Sequence, residues 1–166
     1  MSLFPDDISH QAALVVALAS ARGIMLATAE SCTGGLVAAA LTAVAGSSAA
    51  LDRGFVTYSN AAKSDMIDVP PDLIARHGAV SEPVARAMAL GAVARSAASV
   101  SVSITGVAGP GGGTSEKPVG LVHFAAVGPA GTIHIEQRYG DIGREAIRLA
   151  SVRQALTLLE NRLGQG

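Results

Sequence analysis

A serine, a tyrosine and a lysine occur in one stretch of the sequence and could form a hydrolytic site. Gly46-Ser47-Ser48 is followed by Tyr58 and then by Lys63. A serine hydroxyl becomes a nucleophile when a base takes its proton. A lysine can be that base when burial or a neighbouring cation lowers its pKa. Tyr58 ends a predicted strand and Lys63 lies in the next predicted helix, so both can face one pocket. The alternative is a loop serine, a strand tyrosine and a solvated lysine.

A second candidate site is the polar, glycine-rich turn Glu30-Ser31-Cys32-Thr33-Gly34-Gly35, which lies between a predicted strand and a predicted helix. The free N–H groups and the dipole of a helix N-terminus attract anions, so this turn could bind a phosphate. Ser31 is also a rival nucleophile, because it lies just past a strand. The alternative is a helix cap whose glycines allow a tight turn.

A third candidate is the long glycine loop from Gly106 to Thr114, whose backbone donors could surround a phosphate. It is not a P-loop, which ends in Gly-Lys-Ser or Gly-Lys-Thr, because Lys117 here follows Glu116. It also lacks the dinucleotide fingerprint, since Thr114 stands where a third glycine belongs. The alternative is a mobile surface loop.

The remaining candidates for a functional site are two arginines and four histidines. Arg144 and Arg148 are four residues apart, hence on one helix face, and could clamp a phosphate or form a solvated face. The histidines are scattered, although His123 and His134 lie on opposite arms of a predicted hairpin and could approach each other. No carboxylate or cysteine lies at ligand spacing from them, so no catalytic metal is expected.

These candidates need a scaffold of alternating strands and helices. Apolar periodicity and glycine or proline boundaries predict strands over 24–29, 55–58, 100–105, 119–127 and 132–139, with helices over 7–22, 36–44, 61–67, 71–76, 82–97 and from 141 onward. Alternation predicts a sheet covered on both faces. We therefore expect residues 1–166 to form a single three-layer α/β/α domain. Its sheet should be mixed and mostly parallel, and should include a C-terminal antiparallel hairpin. Ligands in such sheets collect at the carboxyl ends of strands.

The composition excludes several classes of protein. With 49% apolar residues the chain is not disordered, and 12 basic against 13 acidic residues leave no excess positive charge for nucleic acid. The uncharged stretch 31–51 is long enough to span a bilayer, but it is rich in alanine and interrupted by glycine, so we expect no membrane span. An acidic N-terminus and a single cysteine predict a cytoplasmic protein. The low charged fraction of 15% predicts a homo-oligomer, with a dimer the commonest form.

Five stretches, which together span nearly the whole chain, resemble the sequence motifs of a known protein family. They are TAESCTGG (28–35), AGSSAALDRGFVTYSNAAK (45–63), HGAVSEPVA (77–85), SITGVAGPGGGTSEKPVG (103–120) and GDIGREAIR (140–148). In order and spacing they resemble the C-terminal domain of the CinA family of competence/damage-inducible proteins. Gly111 departs from some members, which have Asp there. The resemblance implies that the N-terminal domain of larger members, with any pyrophosphatase activity linked to it, is absent here.

The resemblance implies an amidohydrolase that converts nicotinamide mononucleotide to nicotinate mononucleotide and ammonia, without a cofactor. We expect Ser48 to attack the carboxamide, Lys63 to be its general base and Tyr58 to orient Lys63 or relay a proton, with Ser31 as the alternative nucleophile. We expect the nucleotide to contact Ser31, Thr33, Gly34, Gly35, Thr105, Gly106, Gly109, Gly111, Gly112, Gly113 and Arg144. The turn at residues 31–35 suits its 5′-phosphate, but the sequence leaves open which of the two loops binds the phosphate and which binds the base. The alternative function is a non-catalytic nucleotide-binding or oligomerisation module of the same fold.

Overall fold

The computed structural model describes residues 1–164, in which five strands and six α-helices form one α/β domain. In chain order the elements are α1 (Asp6–Arg22), β1 (Leu26–Glu30), α2 (Leu36–Thr42), β2 (Leu51–Val56), α3 (Asn60–Ile67), α4 (Pro71–His77), α5 (Glu82–Ala94), β3 (Val100–Gly106), β4 (Leu121–Gly128), β5 (Gly131–Arg138) and α6 (Arg144–Gly164). A short 3₁₀ turn, Ser47–Ala49, precedes β2. The predicted fold class is confirmed.

The strands form one mixed sheet in the order β2-β1-β3-β4-β5. β1 pairs in parallel with β2 and with β3, and Glu30 at its end lies opposite Val56 and Ile104. β4 is antiparallel to β3 and to β5, which gives the predicted hairpin. The carboxyl ends of β1, β2 and β3 therefore meet at one edge of the sheet, where polar loops are expected to gather.

Helices cover both faces of the sheet. α1, α2 and α6 enclose the larger apolar core, and α3, α4 and α5 enclose a smaller one on the opposite face. β1 is buried along its whole length, as expected for a strand with helices on both sides. The serines of β3 are buried against α5, where Ser101 Oγ donates to Ala89 O and Ser103 Oγ to Ala85 O. These bonds satisfy hydroxyls that would otherwise be costly to bury.

Helix boundaries follow local chemistry, with small departures from prediction. α3 is capped by Ser59, whose Oγ accepts from the Ala62 N–H, rather than by Asn60. α6 begins at Arg144, three residues after the predicted cap Asp141. Within residues 1–164, none of the helices combines the length and apolar character that a bilayer crossing requires.

Candidate active site

The structure brings Ser31 and Lys63 together at the carboxyl edge of the sheet. The Nζ of Lys63 lies 3.2 Å from Ser31 Oγ and also donates to the carbonyl oxygen of Thr57 at 2.9 Å. Lys63 is only 1% exposed, and this burial lowers the pKa of its amine from the ordinary value of 10.5. Burying an ammonium is costly, so burial shifts the equilibrium of Lys63 toward the neutral amine relative to a lysine in water. A neutral amine within hydrogen-bond distance of a hydroxyl can act as its general base.

The topology of the sheet explains why Ser31 and Lys63 lie next to each other. Ser31 is the first residue after β1, and its N–H donates to Ile104 O at 2.9 Å on the neighbouring strand. On the other side the Thr57 N–H donates to Glu30 O at 2.8 Å, which extends the pairing of β1 with β2 past its last residue. α3 begins three residues later at Asn60, so its first turn carries Lys63 back toward the end of β1.

Ser48 lies elsewhere, and the prediction that it shares a pocket with Lys63 is wrong. It is exposed in the 3₁₀ turn before β2, whereas Lys63 lies beyond the other end of that strand. A strand of six residues spans about 20 Å. Although Ser48 and Lys63 are close along the chain, β2 lies between them and places them at opposite ends of the strand.

Tyr58 contacts Lys63 through its backbone rather than its hydroxyl. Its carbonyl oxygen lies 3.5 Å from Lys63 Nζ. The side chain is 61% exposed, and its hydroxyl accepts a hydrogen bond from Arg144 Nη2 at 3.2 Å. Tyr58 therefore contacts the amine through its carbonyl oxygen rather than through its phenol, and the predicted proton relay by Tyr58 stays a prediction. The structure assigns the orientation to the carbonyls of Thr57 and Tyr58.

A cavity of about 300 Å³ opens beside Ser31. Its lining consists of Ser31, Cys32, Tyr58, Val80, Gly106, Val107, Ala108, Gly109, Gly111, Gly112 and Arg144. Arg144 is the one charged residue in this lining, and its Nη1 donates to Gly109 O at 2.8 Å. This arrangement suits a ligand that carries one anionic group and places a reactive carbon near a serine.

The glycine loop after β3 forms one wall of this cavity, although not all of its predicted residues reach it. Gly106 must be glycine, because a Cβ there would lie 2.7 Å from a Val122 methyl group and 2.9 Å from Leu121 O. Thr105 Oγ1 donates to Ala79 O at 2.9 Å and is buried away from the cavity. Gly113 packs against Val119. The prediction that Thr105 and Gly113 contact substrate is therefore not supported.

The turn at residues 31–35 does not offer the predicted phosphate site. The carboxylate of Glu30 accepts hydrogen bonds from the Val37 and Ala38 N–H groups, at 2.9 and 3.0 Å, and from Thr33 Oγ1 at 2.7 Å. This buried side chain therefore already occupies the N-terminus of α2 as its anion. Thr33, Gly34 and Gly35 shape the turn, but they do not line the cavity. The structure therefore does not support these three residues as phosphate ligands.

Arg148 also lies outside the cavity. Its Nε donates to Cys32 O at 3.1 Å and its Nη2 to Thr33 O at 3.2 Å. The two arginines predicted as one phosphate clamp thus have different neighbours. Arg144 reaches the cavity, and Arg148 reaches the backbone of the turn that carries Ser31.

Cys32 is next to Ser31 but is a poor nucleophile. The residue is buried, and burial raises the pKa of its thiol to about 11. The thiolate is the reactive form of cysteine. Near neutral pH this thiol therefore stays protonated, and Ser31 is the better-equipped nucleophile in the lining.

The sequence prediction missed the capping role of Glu30 and four residues of the cavity lining, namely Cys32, Val80, Val107 and Ala108. An acidic residue just before a glycine turn and a helix is a recognisable signal for a cap, so Glu30 could have been found. Val80 lies between α4 and α5 and enters the lining only through tertiary packing, so no local signal marks it.

The two hairpin histidines do meet, on the α5 face of the sheet. His123 Nδ1 and His134 Nε2 are 2.9 Å apart, and Glu136 and Glu82 each lie 3.6 Å from one ring. Even so, the described residues contain no group of three or more His, Cys, Asp or Glu side chains able to hold a metal.

Comparison with known proteins decides the family. Residues 8–163 match the model of the CinA C-terminal domain. The chain belongs to the CinA C-terminal domain family. It is 56% identical over 147 residues to a CinA-like protein of Anaeromyxobacter dehalogenans (strain 2CP-C), an alignment that covers 88% of this chain and 36% of that protein. A CinA-like protein of Parasynechococcus marenigrum (strain WH8102) is 52% identical over 92% of this chain and 36% of its own length. The chain thus spans little more than a third of these curated relatives.

Solved structures of CinA-type proteins match along their whole length. The crystal structure of the competence/damage inducible protein CihA from Agrobacterium tumefaciens is 55% identical, with a TM-score of 0.96, and the match covers 99% of this chain and 100% of that one. The competence damage-inducible protein A (ComA) from Klebsiella pneumoniae is 37% identical, with a TM-score of 0.90, over 95% and 98% of the two chains. The CinA resemblance predicted from sequence is confirmed.

Proposed function

We propose that this CinA domain hydrolyses the carboxamide of nicotinamide mononucleotide to nicotinate mononucleotide and ammonia, with Ser31 as nucleophile and Lys63 as general base. The observation that carries the proposal is the 3.2 Å contact between Lys63 Nζ and Ser31 Oγ beside a cavity of mononucleotide scale. Family membership supports the same reaction.

The first half of the reaction forms an ester. Neutral Lys63 takes the proton of the Ser31 hydroxyl as Oγ attacks the carboxamide carbon. The tetrahedral intermediate collapses when its C–N bond breaks, and the proton held by Lys63 passes to the departing nitrogen as ammonia leaves. The pyridinium of the substrate is itself a cation, which disfavours a protonated Lys63 and so helps to keep the base neutral.

The second half releases the acid. Lys63 takes a proton from a water molecule, the resulting hydroxide attacks the nicotinoyl ester, and the C–O bond to Ser31 breaks. The proton returns to Ser31 Oγ, and nicotinate mononucleotide leaves. Each half uses the same base, as general acid–base catalysis through an acyl intermediate requires.

Arg144 is proposed to meet the 5′-phosphate. It is the charged residue of the cavity lining, and its planar guanidinium suits bidentate contact with phosphate oxygens. The exposed ring of Tyr58, whose hydroxyl Arg144 contacts, lies beside it at the mouth of the cavity. Substrate binding would exchange the Arg144–Tyr58 contact for one to phosphate.

An ammonia-release assay tests the proposal. With nicotinamide mononucleotide as substrate, Ser31→Ala and Lys63→Met should each lose activity by on the order of 10⁴-fold or more, and the matched control Ser48→Ala should retain it. Free nicotinamide and glutamine should be poor substrates, because neither carries the phosphate. Activity that persists in Ser31→Ala would refute the assignment of the nucleophile. Nucleotide binding without release of ammonia would instead indicate a non-catalytic module.

A further inference from the structure

The turn that carries Ser31 is held on its outer side by one arginine of α6. Arg148 Nε donates to Cys32 O and Nη2 donates to Thr33 O, the carbonyls of the two residues that follow Ser31. The contact joins parts of the chain more than a hundred residues apart, and the guanidinium is half-buried between them. Two parallel bonds to successive carbonyls use the rigid fork of arginine, which lysine does not have.

On its inner side the same turn is fixed by bonds from the sheet and from Glu30. Ser31 N–H donates to Ile104 O, and the Glu30 carboxylate holds Thr33 Oγ1. The turn itself relies on Gly34 and Gly35, both in the left-handed region with φ of 57° and 102°. Glycine gives up more conformational freedom than any other residue on being ordered. Arg148 holds the carbonyls of Cys32 and Thr33, which lie between Ser31 and these two glycines.

Arg148 lies outside the cavity that would receive the substrate. Its Nε and Nη2 are bonded to these backbone carbonyls, and the lining of the cavity beside Ser31 does not include it. Arg144, one turn earlier on α6, lines that cavity. The same helix thus has one arginine at the cavity and one at the nucleophile turn.

We propose that Arg148 is a positioning residue for Ser31: by fixing the carbonyls of Cys32 and Thr33 it holds the Ser31 hydroxyl within hydrogen-bond distance of Lys63. The identity of the substrate rests on the proposed function, whereas the positioning itself concerns only the reactivity of Ser31. A displacement of about 1 Å between reacting groups can cost on the order of 10²-fold in rate.

The test compares Arg148→Lys and Arg148→Ala with the native chain in two assays. In the first, steady-state hydrolysis of nicotinamide mononucleotide, kcat should fall by on the order of 10²-fold for both variants while KM stays near the native value. In the second, p-nitrophenyl acetate acylates Ser31, and mass spectrometry follows the modified peptide; the acylation rate should fall in parallel. Arg153→Lys is the matched control, because Arg153 lies on the same helix and pairs with Asp7 away from the cavity.

Chemical rescue separates positioning from folding. Guanidinium at millimolar, non-denaturing concentration should restore part of the acylation rate of Arg148→Ala, because it can occupy the vacated site, and should not accelerate Arg148→Lys or the native chain. If Arg148→Ala does not fold, the folded Arg148→Lys variant carries the test. Native rates in Arg148→Lys, or a raised KM with unchanged kcat, would overturn the proposal.

The two assays also distinguish a failure of the proposed function from a failure of the positioning role of Arg148. If the native chain acylates Ser31 in a Lys63-dependent way but releases no ammonia from nicotinamide mononucleotide, the proposed substrate is wrong, and the acylation rates alone decide the role of Arg148. If ammonia is released normally by the Arg148 variants, the proposed function stands and the positioning role fails.

Discussion

At the scale of single residues, the enclosed amine of Lys63 decides how the site depends on pH. Burial lowers its pKa below the ordinary 10.5. The neutral amine is the form that acts as a base, so kcat/KM for ammonia release should rise with pH and level off once Lys63 has lost its proton. The midpoint of this rise is expected below 10.5 and reports the free enzyme.

The variant Lys63→Arg tests whether Lys63 is the general base. A guanidinium keeps its proton at all accessible pH values, so this variant should bind nucleotide yet lose turnover by on the order of 10²–10⁴-fold, with no recovery as the pH is raised. Nucleotide affinity and the pH profile of ammonia release check this. A variant that regained activity at high pH would show that Lys63 is not the base.

The individual chemical groups were largely visible in the sequence, whereas their pairing was not. The cavity is lined by Ser31, Tyr58 and Arg144, and Lys63 contacts Ser31. Each of these residues belongs to a motif that is recognisable in the sequence. Ser48 misled because it precedes β2 in the same block that holds Lys63. Only the strand order, with β1 beside β2, makes Ser31 the neighbour of that lysine.

At the scale of elements, Glu30 links the end of β1 to the start of α2. Its buried carboxylate accepts two backbone N–H groups and one hydroxyl. Glu30→Gln keeps the shape but replaces a charged acceptor oxygen with a donor, so at least one N–H loses its partner. We expect a loss of about 1–3 kcal/mol in the free energy of unfolding. Urea denaturation measures it, with the exposed Glu116→Gln as control; equal stability of the two variants would contradict this role.

The histidine pair on β4 and β5 predicts acid sensitivity. Desolvation by burial lowers the pKa of both His123 and His134, although Glu82 and Glu136 partly oppose this effect and Arg86 and Lys117 reinforce it. Arg138 also faces the group, through its ion pair with Glu136. Below about pH 6.5 the histidines of the unfolded chain therefore bind more protons than those of the folded chain. The free energy of unfolding is unaffected by this pair above about pH 6.5, and it falls as the pH drops from there through the lowered pKa values of the folded state.

Thermal unfolding as a function of pH measures this effect. His134→Gln removes one titrating ring and should flatten the fall in Tm below pH 6.5, whereas His10→Gln, at an exposed position, should leave it unchanged. An equally steep fall in both variants would place the sensitivity elsewhere in the chain.

Most elements were predictable because glycine and proline mark their ends. α1 ends at the left-handed Gly23, and Pro71 begins α4, as predicted. The predicted start of β2 is four residues later than the observed start, because the first four residues, Leu51–Gly54, do not form a β-branched run. The Ser81 hydroxyl donates to Gly78 O instead of capping α5. Such choices between two local hydrogen bonds depend on tertiary packing.

At the scale of the whole molecule, the fold class followed from alternation of strands and helices, whereas strand order did not. The predicted homo-oligomer remains a prediction. Three large side chains are exposed to solvent in the single chain, namely Val56 at 45%, Tyr58 at 61% and Ile142 at 55%. A second copy of the chain could cover them in an oligomer. Sedimentation velocity should give the mass of a dimer at micromolar concentration. A monomer at every concentration would refute this expectation.

The chain contains only two lysines, Lys63 and Lys117. The first is buried next to Ser31, and the second lies on the loop that forms a wall of the cavity, where it donates to His77 O. Amine-directed dyes, cross-linkers and sensor-chip coupling therefore find one accessible lysine, besides the chain's own α-amino group, and it belongs to that loop. Attachment through an added terminal tag would leave that wall untouched.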